Sequence, residues 1–192
     1  MKLLLVVILC IWTNLSFGQA NKTFPIYTLE EALKIRKDSV FGLDLSRNKL
    51  SSLPSQLYEF KELRYLNLSK NKFNRINDSL SMLSKLEIID FSVNKFEAFP
   101  AVIFKLIFLK EILISRNQIE KIPEEIKYCE ALKILDLNDN PVGDIGSGIL
   151  TLKNLKLLDL QGVMYGPTLH KQIMESLPNT KVRLDPPCTC ME

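Results

Sequence analysis

The side chains that could perform chemistry in this sequence are few and widely separated. The chain has one histidine and four cysteines among its 192 residues. To act as a catalytic base, His170 would need a nucleophile and an orienting partner nearby, and no motif supplies either. We therefore expect an ordinary surface histidine on a helix of the C-terminal region. We also expect that the protein is not an enzyme and that it holds no metal and no cofactor.

The cysteines divide into a terminal pair and an internal one. Cys188 and Cys190 are separated by one residue, and two thiolates at this spacing can help to hold a metal or can close a small disulfide ring. In a secretory compartment oxidised cysteines are favoured, so Cys188 or Cys190 could instead link two chains in a dimer. Cys129 occupies an apolar position of the repeat described below and is predicted to be a buried thiol.

Composition excludes several classes of protein. The chain is 46% apolar and 24% charged, with a formal net charge of +3, which fits one domain with a real core and excludes low-complexity disorder. Basic and acidic residues are nearly balanced, so no strong field draws in phosphates. We therefore expect no nucleic-acid partner.

Residues 1–18 have the pattern of a secretory signal peptide. One lysine precedes an apolar run over residues 3–12, which is shorter than the roughly 20 residues of a membrane-spanning helix. Small residues stand three and one positions before Gln19 and would permit cleavage there. We therefore predict a secreted, periplasmic or cell-surface protein with no membrane span after cleavage. An uncleaved anchor and acylation of Cys10 are the alternatives.

From residue 40 onward the sequence repeats every 23 residues without insertion or deletion. Positions 1, 4, 6, 11, 14, 18 and 21 are apolar in every full unit. One unit cannot bury these residues alone, so neighbouring units must stack to close a core. Five full units and a degenerate sixth begin at Val40, Leu63, Leu86, Leu109, Leu132 and Leu155.

The units resemble the leucine-rich repeat family. The family consensus LxxLxLxxNxL is followed here by LPxxL, as in LDLSRNKLSSLPSQL of the first unit, and it covers residues 40–162. The resemblance implies an α/β fold: a right-handed solenoid, or horseshoe, with helical caps. Each unit would give one short strand to a parallel sheet on the concave side and return along the convex side as 3₁₀ or short helical turns.

Residues at both ends of the array are predicted to cap it, because bare ends would expose core to water. Residues 19–39 form the N-terminal cap, with a helix that Thr28 and Glu31 begin as a capping box. Its apolar stripe is Leu29, Ala32 and Leu33. Residues 163–185 form the C-terminal cap and residues 186–192 a tail. The C-terminal cap combines a final strand with a helix whose apolar face is Leu169, Ile173 and Leu177.

Two recurrent positions are assigned to structure. An amide at position 9 can donate to and accept from the backbone of adjacent turns. These amides are Asn48, Asn71, Asn94, Asn117 and Asn140. Proline at position 15 fixes φ where the convex return begins, and the residues there are Pro54, Asn77, Pro100, Pro123 and Gly146.

Three sequons match the glycosylation pattern, at Asn21, Asn67 and Asn77. Asn67 falls within a predicted strand, so that match is interpreted as incidental. No cysteine lies between residues 11 and 128, whereas extracellular eukaryotic members of the family usually have cysteine-rich caps. This absence favours a bacterial exported protein.

Strand residues that point away from the core form rows across the concave face. We name the rows by their position in the unit: row 2 is largely basic, row 3 is largely apolar and row 5 is largely acidic. The predicted ligand-binding residues are Arg64, Lys110, Lys133 and Lys156 of row 2, Tyr65, Ile88, Glu111, Ile134 and Leu157 of row 3, and Asn67, Asp90, Leu113, Asp136 and Asp159 of row 5.

These rows predict a surface for a protein ligand. Four large apolar groups in row 3 are expected to be exposed, which costs solubility unless a partner covers them. Opposite charges on both sides suit a protein of complementary polarity and suit nucleic acid poorly. We therefore predict a secreted, non-enzymatic interaction module that binds through the concave face. The alternative function is a structural or self-assembling envelope protein linked through its terminal cysteines, and the alternative for row 5 is that Asp is simply frequent there.

Overall fold

The computed structural model describes residues 24–163 and 167–186. The predicted signal peptide, Cys188 and Cys190 lie outside these residues. The described chain is built from one large parallel sheet, a row of 3₁₀ helices opposite it, and an α-helix near each end.

Each repeat unit contributes one strand to the large sheet. Neighbouring strands are parallel and in register at the repeat period, so that Leu66 lies beside Ile89 and Ile89 beside Ile112. The sheet has eight strands in the order β1-β2-β3-β4-β5-β7-β9-β10, and β6 and β8 form a separate parallel pair. The strands are β1 Ile26–Tyr27, β2 Gly42–Asp44, β3 Tyr65–Asn67, β4 Ile88–Asp90, β5 Glu111–Leu113, β6 Lys121–Ile122, β7 Ile134–Asp136, β8 Asp144–Ile145, β9 Leu157–Asp159 and β10 Lys181–Arg183.

The return segments of the five full units are 3₁₀ helices that start at the same repeat position. Each follows the position-15 residue, whose extended backbone precedes the first helical residue, as at Pro54 and Pro123. Asn77 and Gly146 adopt the same extended backbone without proline. The 3₁₀ helices are Lys37–Ser39 before the array, then Ser55–Glu59, Asp78–Met82, Ala101–Lys105, Glu124–Tyr128 and Ser147–Thr151.

One continuous core lies between the sheet and the return segments. Positions 4 and 6 of each full unit are buried, as are positions 1, 18 and 21. Cys129, at position 21, is buried in this core, and burial raises the pKa of its thiol to about 12. The predicted buried thiol is confirmed.

The asparagines of position 9 form a ladder that satisfies backbone groups of adjacent units. The Oδ1 atom of Asn117 accepts the N–H of Phe96 at 3.1 Å. Its Nδ2 atom donates to the carbonyls of Phe91 and Ile114 at 3.1 and 3.0 Å. Asn71, Asn94 and Asn140 make the equivalent bonds, while Asn48 in the first unit is exposed. The predicted structural role of the column is confirmed for these four residues.

The N-terminal helix α1 covers Leu29–Leu33 and starts at the predicted capping box. Thr28 Oγ1 accepts the N–H of Glu31, and Glu31 Oε2 accepts the N–H of Thr28. The predicted apolar stripe is partly wrong: Ala32 is buried, but Leu33 is 39% exposed. The helix lasts little more than one turn before the chain enters the first unit, so it is too short to turn Leu33 onto the core.

At the other end, helix α2 covers Pro167–Ser176 and β10 pairs with β9. Ile173 and Leu177 are buried as predicted and belong to the common core, while the side chain of Leu169, the third residue of the predicted face, lies outside the described part of the structure. No helix among the described residues has the length and apolar content to cross a membrane.

Position 8 of every unit has left-handed backbone, which the sequence did not predict. The φ angles there lie between 53° and 75°. The chain turns away from the sheet at this position, one residue before the ladder asparagine. The residues are Arg47, Lys70, Val93, Arg116, Asp139 and Gly162.

Candidate functional site: the concave face of the sheet

Rows 3 and 5 occupy the sheet face opposite the core. In β3, Leu66 is buried in the core, so its neighbours Tyr65 and Asn67 point to the other face, because side chains alternate along a strand. The register places Tyr65 beside Ile88 and Asn67 beside Asp90. The fold therefore brings all the predicted residues of these two rows together on one surface.

Row 3 is less exposed than the sequence predicted. Tyr65 is only 7% exposed, Leu157 is also buried, and Ile88 and Ile134 are half-buried. The expectation of four exposed apolar groups is wrong. Parallel strands lie about 4.8 Å apart, so the side chains of a row cover one another. Row 3 therefore forms a packed floor of the concave face, with buried Glu111 at its centre.

Row 5 has a structural role in addition to its place on the surface. Asp90 Oδ1 accepts the N–H of Ser92 at 2.8 Å, and Asp136 Oδ1 accepts the N–H of Asn138 at 3.0 Å. Asn67 makes the same bond to Ser69 with its amide oxygen. A short acceptor at this position closes the turn after each strand, which explains why aspartate or asparagine recurs there. Leu113 is the exception and is buried.

The floor of the concave face is electrostatically negative. The pKa of the Tyr65 hydroxyl is raised first by burial and then by the charges of Asp90 and Asp44. Burial also raises the pKa of Asp136 to about 6, with further contributions from Asp159 and Asp90. Asp159 lies on the strand next to Asp136, and Asp90 lies two strands away on the other side, with Leu113 between them. Row 5 therefore places negative charge on both sides of Asp136.

Row 2 lies at the edge of the face where the strands begin, and it is largely cationic. Glu87 is paired with Lys110 at 2.5 Å and with Arg64 at 3.8 Å. Lys133 and Lys156 are exposed and form no ion pair with any described residue. At the C-terminal end of the floor, Arg183 of β10 contacts Asp159 at 3.2 Å. The face thus has an acidic floor beside a basic edge.

The residues considered for catalysis do not join this surface. His170 lies half-buried on α2 in the C-terminal cap. Within residues 24–163 and 167–186, no group of three or more histidine, cysteine or acidic side chains is arranged to hold a metal ion.

A second exposed surface, which the sequence analysis missed, lies where the return segments lead back to the strands. Ile107 is 61% exposed and Phe108 is 54% exposed, and Tyr128 of the next unit is also exposed. We call these three residues and the half-buried Phe104 the lateral patch. The sequence does contain a signal for this patch, because positions 22 and 23 of the third unit are both apolar. In the other full units this pair includes a charged residue: Lys61-Glu62, Ser84-Lys85, Glu130-Ala131 and Lys153-Asn154.

Comparison with known proteins agrees with this architecture. The Leucine Rich Repeat family model matches residues 62–83. Two solved structures of internalins from Listeria monocytogenes, inlF and inlC2, superpose with a TM-score of 0.64 each and are 21% and 23% identical. They cover 78% and 77% of this chain, which spans 44% and 62% of theirs. No significant match was found among curated proteins.

A third similar structure is that of TLR13 in complex with ssRNA13. It superposes with a TM-score of 0.68 and is 22% identical in sequence. The matched region covers 77% of this chain and 21% of the TLR13 chain. The chain therefore spans less than two thirds of each of these structures. Their likeness shows the fold, a leucine-rich repeat solenoid, and the family model matches one repeat of the array.

Proposed function

We propose that the protein is a secreted, non-enzymatic module that binds a protein ligand through the concave face. The observation that carries this proposal is the pair of half-buried carboxyls of Asp90 and Asp136 beside Lys133 and Lys156, two exposed lysines that form no ion pair with any described residue. The row-5 carboxyls are held in fixed positions by backbone N–H groups. Fixed charges of both signs on a broad surface favour specific recognition of a partner with complementary charge.

The size of the sheet also supports a macromolecular ligand. Eight parallel strands at about 4.8 Å give a face roughly 34 Å wide. This is sufficient for a standard protein interface of about 800 Å² on each partner. A protein with basic side chains is favoured over nucleic acid because the floor would repel phosphates.

Isosteric variants can test the acidic floor without disturbing the turns. In Asp90→Asn/Asp136→Asn, each amide oxygen can still accept the backbone N–H, as Asn67 does for Ser69. The matched control, Glu97→Gln/Glu120→Gln, removes two exposed carboxylates at position 12, outside the strands.

Ligands would be selected from a displayed library of protein fragments with residues 19–192 as bait. Their affinities for wild type, the concave-face variant and the control would then be measured by surface plasmon resonance. We expect a loss of about tenfold or more for the concave-face variant and no loss for the control. Selected ligands that bind all three proteins equally would contradict the proposal.

Secretion is proposed from residues 1–18. Expression with the native leader in a bacterial host should yield an exported protein whose mass matches a chain that begins at Gln19. Retention of an uncleaved chain in the cytoplasm would contradict the proposed secretion.

Non-reducing electrophoresis of the exported protein tests the alternative function, which is assembly through the terminal cysteines. A thiol-sensitive dimer lost in Cys188→Ser/Cys190→Ser would support assembly through the tail.

A further inference from the structure

The lateral patch lines the middle one of three neighbouring surface cavities, which we together call the groove. A cavity of about 680 Å³ is lined by Phe104, Ile107, Phe108 and Tyr128 together with Glu130 and Asn154. Phe108 also lines a cavity of about 310 Å³ towards the second unit. Glu130 and Asn154 also line a third, of about 290 Å³, towards the fifth. Neighbouring cavities therefore share lining residues, and together the three lie along four neighbouring units.

Both ends of this groove are cationic. Arg64, Lys85 and Lys110 line the end near the second unit with one carboxylate, Glu87. Lys127 and Lys153 line the other end with one carboxylate, Glu130. Lys85 also pairs with Glu62 at 2.6 Å, so five cations stand against three carboxylates, and an excess of one positive charge remains on each side of the apolar centre.

The sequence places the apolar centre of the groove in one unit of the array only. Only the third full unit has two apolar residues at positions 22 and 23, namely Ile107 and Phe108. Neither residue is needed for the core, since both side chains are more than half exposed. Exposed apolar groups that form a patch in a polar surrounding are typical of an interaction site.

We propose that this groove binds an extended acidic segment of a partner protein, with an apolar side chain at the centre of the segment and carboxylates on both sides. Three steps between neighbouring units span roughly 15 Å, which matches about five or six residues of extended chain at 3.3 Å each. The central side chain packs against Phe108 and Tyr128, and the flanking carboxylates pair with the lysines. Arg64 and Lys110 at one end of the groove also belong to row 2 of the concave face, but the apolar centre lies outside the sheet strands, and the site does not depend on the function proposed for the concave face.

Charge and shape favour this occupant over two others. A second copy of the chain would bring like-charged groove ends together, which is unfavourable. A lipid surface would require apolar side chains on a convex tip, whereas these four line a shallow, open recess. A peptide with acidic flanks satisfies both the recess and the charge.

The probe is a fluorescein-labelled hexapeptide, Glu-Asp-Phe-Leu-Asp-Glu, titrated with the whole mature chain and followed by fluorescence anisotropy. The matched probe, Lys-Lys-Phe-Leu-Lys-Lys, has the same apolar centre with reversed charge. We expect the acidic probe to bind at least about tenfold more tightly, and its affinity to fall as salt is raised. Equal affinities, or no binding of the acidic probe at millimolar protein, would overturn the proposal.

Substitutions locate the binding. Phe108→Ser should weaken the acidic probe about tenfold, whereas Met174→Ser, which removes a 49% exposed apolar side chain from α2, should have no effect. Lys153→Glu should weaken it as well, while Lys171→Glu on α2 should not. Circular dichroism and thermal melts would confirm that each variant is folded.

Three further outcomes would overturn the proposal. The first is loss of probe binding in Asp90→Asn/Asp136→Asn, which would place the peptide on the concave face. The second is a concentration-dependent dimer, seen by light scattering, that Phe108→Ser abolishes. The third is sedimentation of the wild-type protein, but not of Phe108→Ser, with phosphatidylserine vesicles.

Discussion

At the residue scale, the left-handed backbone at position 8 places an unusual demand on the side chain there. L-residues pay roughly 1–2 kcal/mol for this conformation, and glycine or asparagine pays less. β-branched residues are the least suited to it. Val93, with φ 58°, is the β-branched residue among the position-8 residues. It lies half-buried between two units, so the third unit contains local strain.

Replacing Val93 with asparagine should stabilise the protein. We expect Val93→Asn to raise the free energy of unfolding by about 1 kcal/mol, because asparagine tolerates the left-handed region. The N–H of residue 93, which donates to the Ser115 carbonyl at 2.9 Å, is retained. Urea denaturation measures the change, and Lys70→Asn at the same position of another unit is the control with a smaller expected gain. Equal or lower stability of Val93→Asn would show that strain at this residue is absent.

Asp136 should make stability depend on pH. Its folded pKa of about 6 exceeds the ordinary value of 3.8, so between about pH 4 and 6 the folded state holds a proton that the unfolded chain has released. The contribution of this group to stability therefore falls as pH rises through that window. Asp136→Asn should gain about 1–2 kcal/mol at pH 7.5 and little at pH 4. Urea denaturation at both pH values measures this, and an equal gain at both would be inconsistent with the raised pKa.

A feature at the residue scale could be predicted from the sequence only where one type of side chain recurs at the same repeat position. The asparagine ladder was predictable because one side-chain type recurs and an amide has both donors and an acceptor. The left-handed position was not, because its residues include arginine, lysine, valine and aspartate, which share no conformational signature.

At the element scale, the repeat period determined the positions of strands and return segments. The strands at Tyr65–Asn67 and Ile88–Asp90 and the 3₁₀ helices at Ser55–Glu59 and Asp78–Met82 each recur after 23 residues. The convex pair β6 and β8 was not predicted. It forms between Lys121–Ile122 and Asp144–Ile145, and it depends on the close approach of two particular units rather than on a local pattern.

The asparagine ladder should contribute strongly to the stability of the fold wherever it joins two units. Asn117→Ala would leave the N–H of Phe96 and the carbonyls of Phe91 and Ile114 without their partner. We expect a loss of about 2–4 kcal/mol in the free energy of unfolding. Asn48→Ala is the matched control, because Asn48 is exposed and its side chain bonds to no described residue; its effect should stay below about 0.5 kcal/mol. Similar losses in the two variants, measured by urea denaturation, would argue against the ladder.

At the scale of the whole molecule, the sequence predicted which residues share a face but not how exposed they are. Strand alternation and register follow from the period, so Tyr65, Ile88 and Ile134 were placed in one row. Their burial depends on how closely neighbouring side chains cover one another across strands, which no linear pattern records. The lateral patch differs, because Ile107 and Phe108 break a polar pattern that was visible in the sequence.

The most direct test of concave-face binding is lysine acetylation of the protein with and without a ligand selected as above, read by mass spectrometry. Lys133 and Lys156 are exposed on the basic edge, whereas Lys72 and Lys95 are exposed at position 10, beyond the strands. We predict that ligand lowers acetylation of Lys133 and Lys156 by about fivefold or more, because a covered amine loses contact with the reagent, and leaves Lys72 and Lys95 unchanged. Protection of Lys72 and Lys95 with unchanged Lys133 and Lys156 would contradict the account.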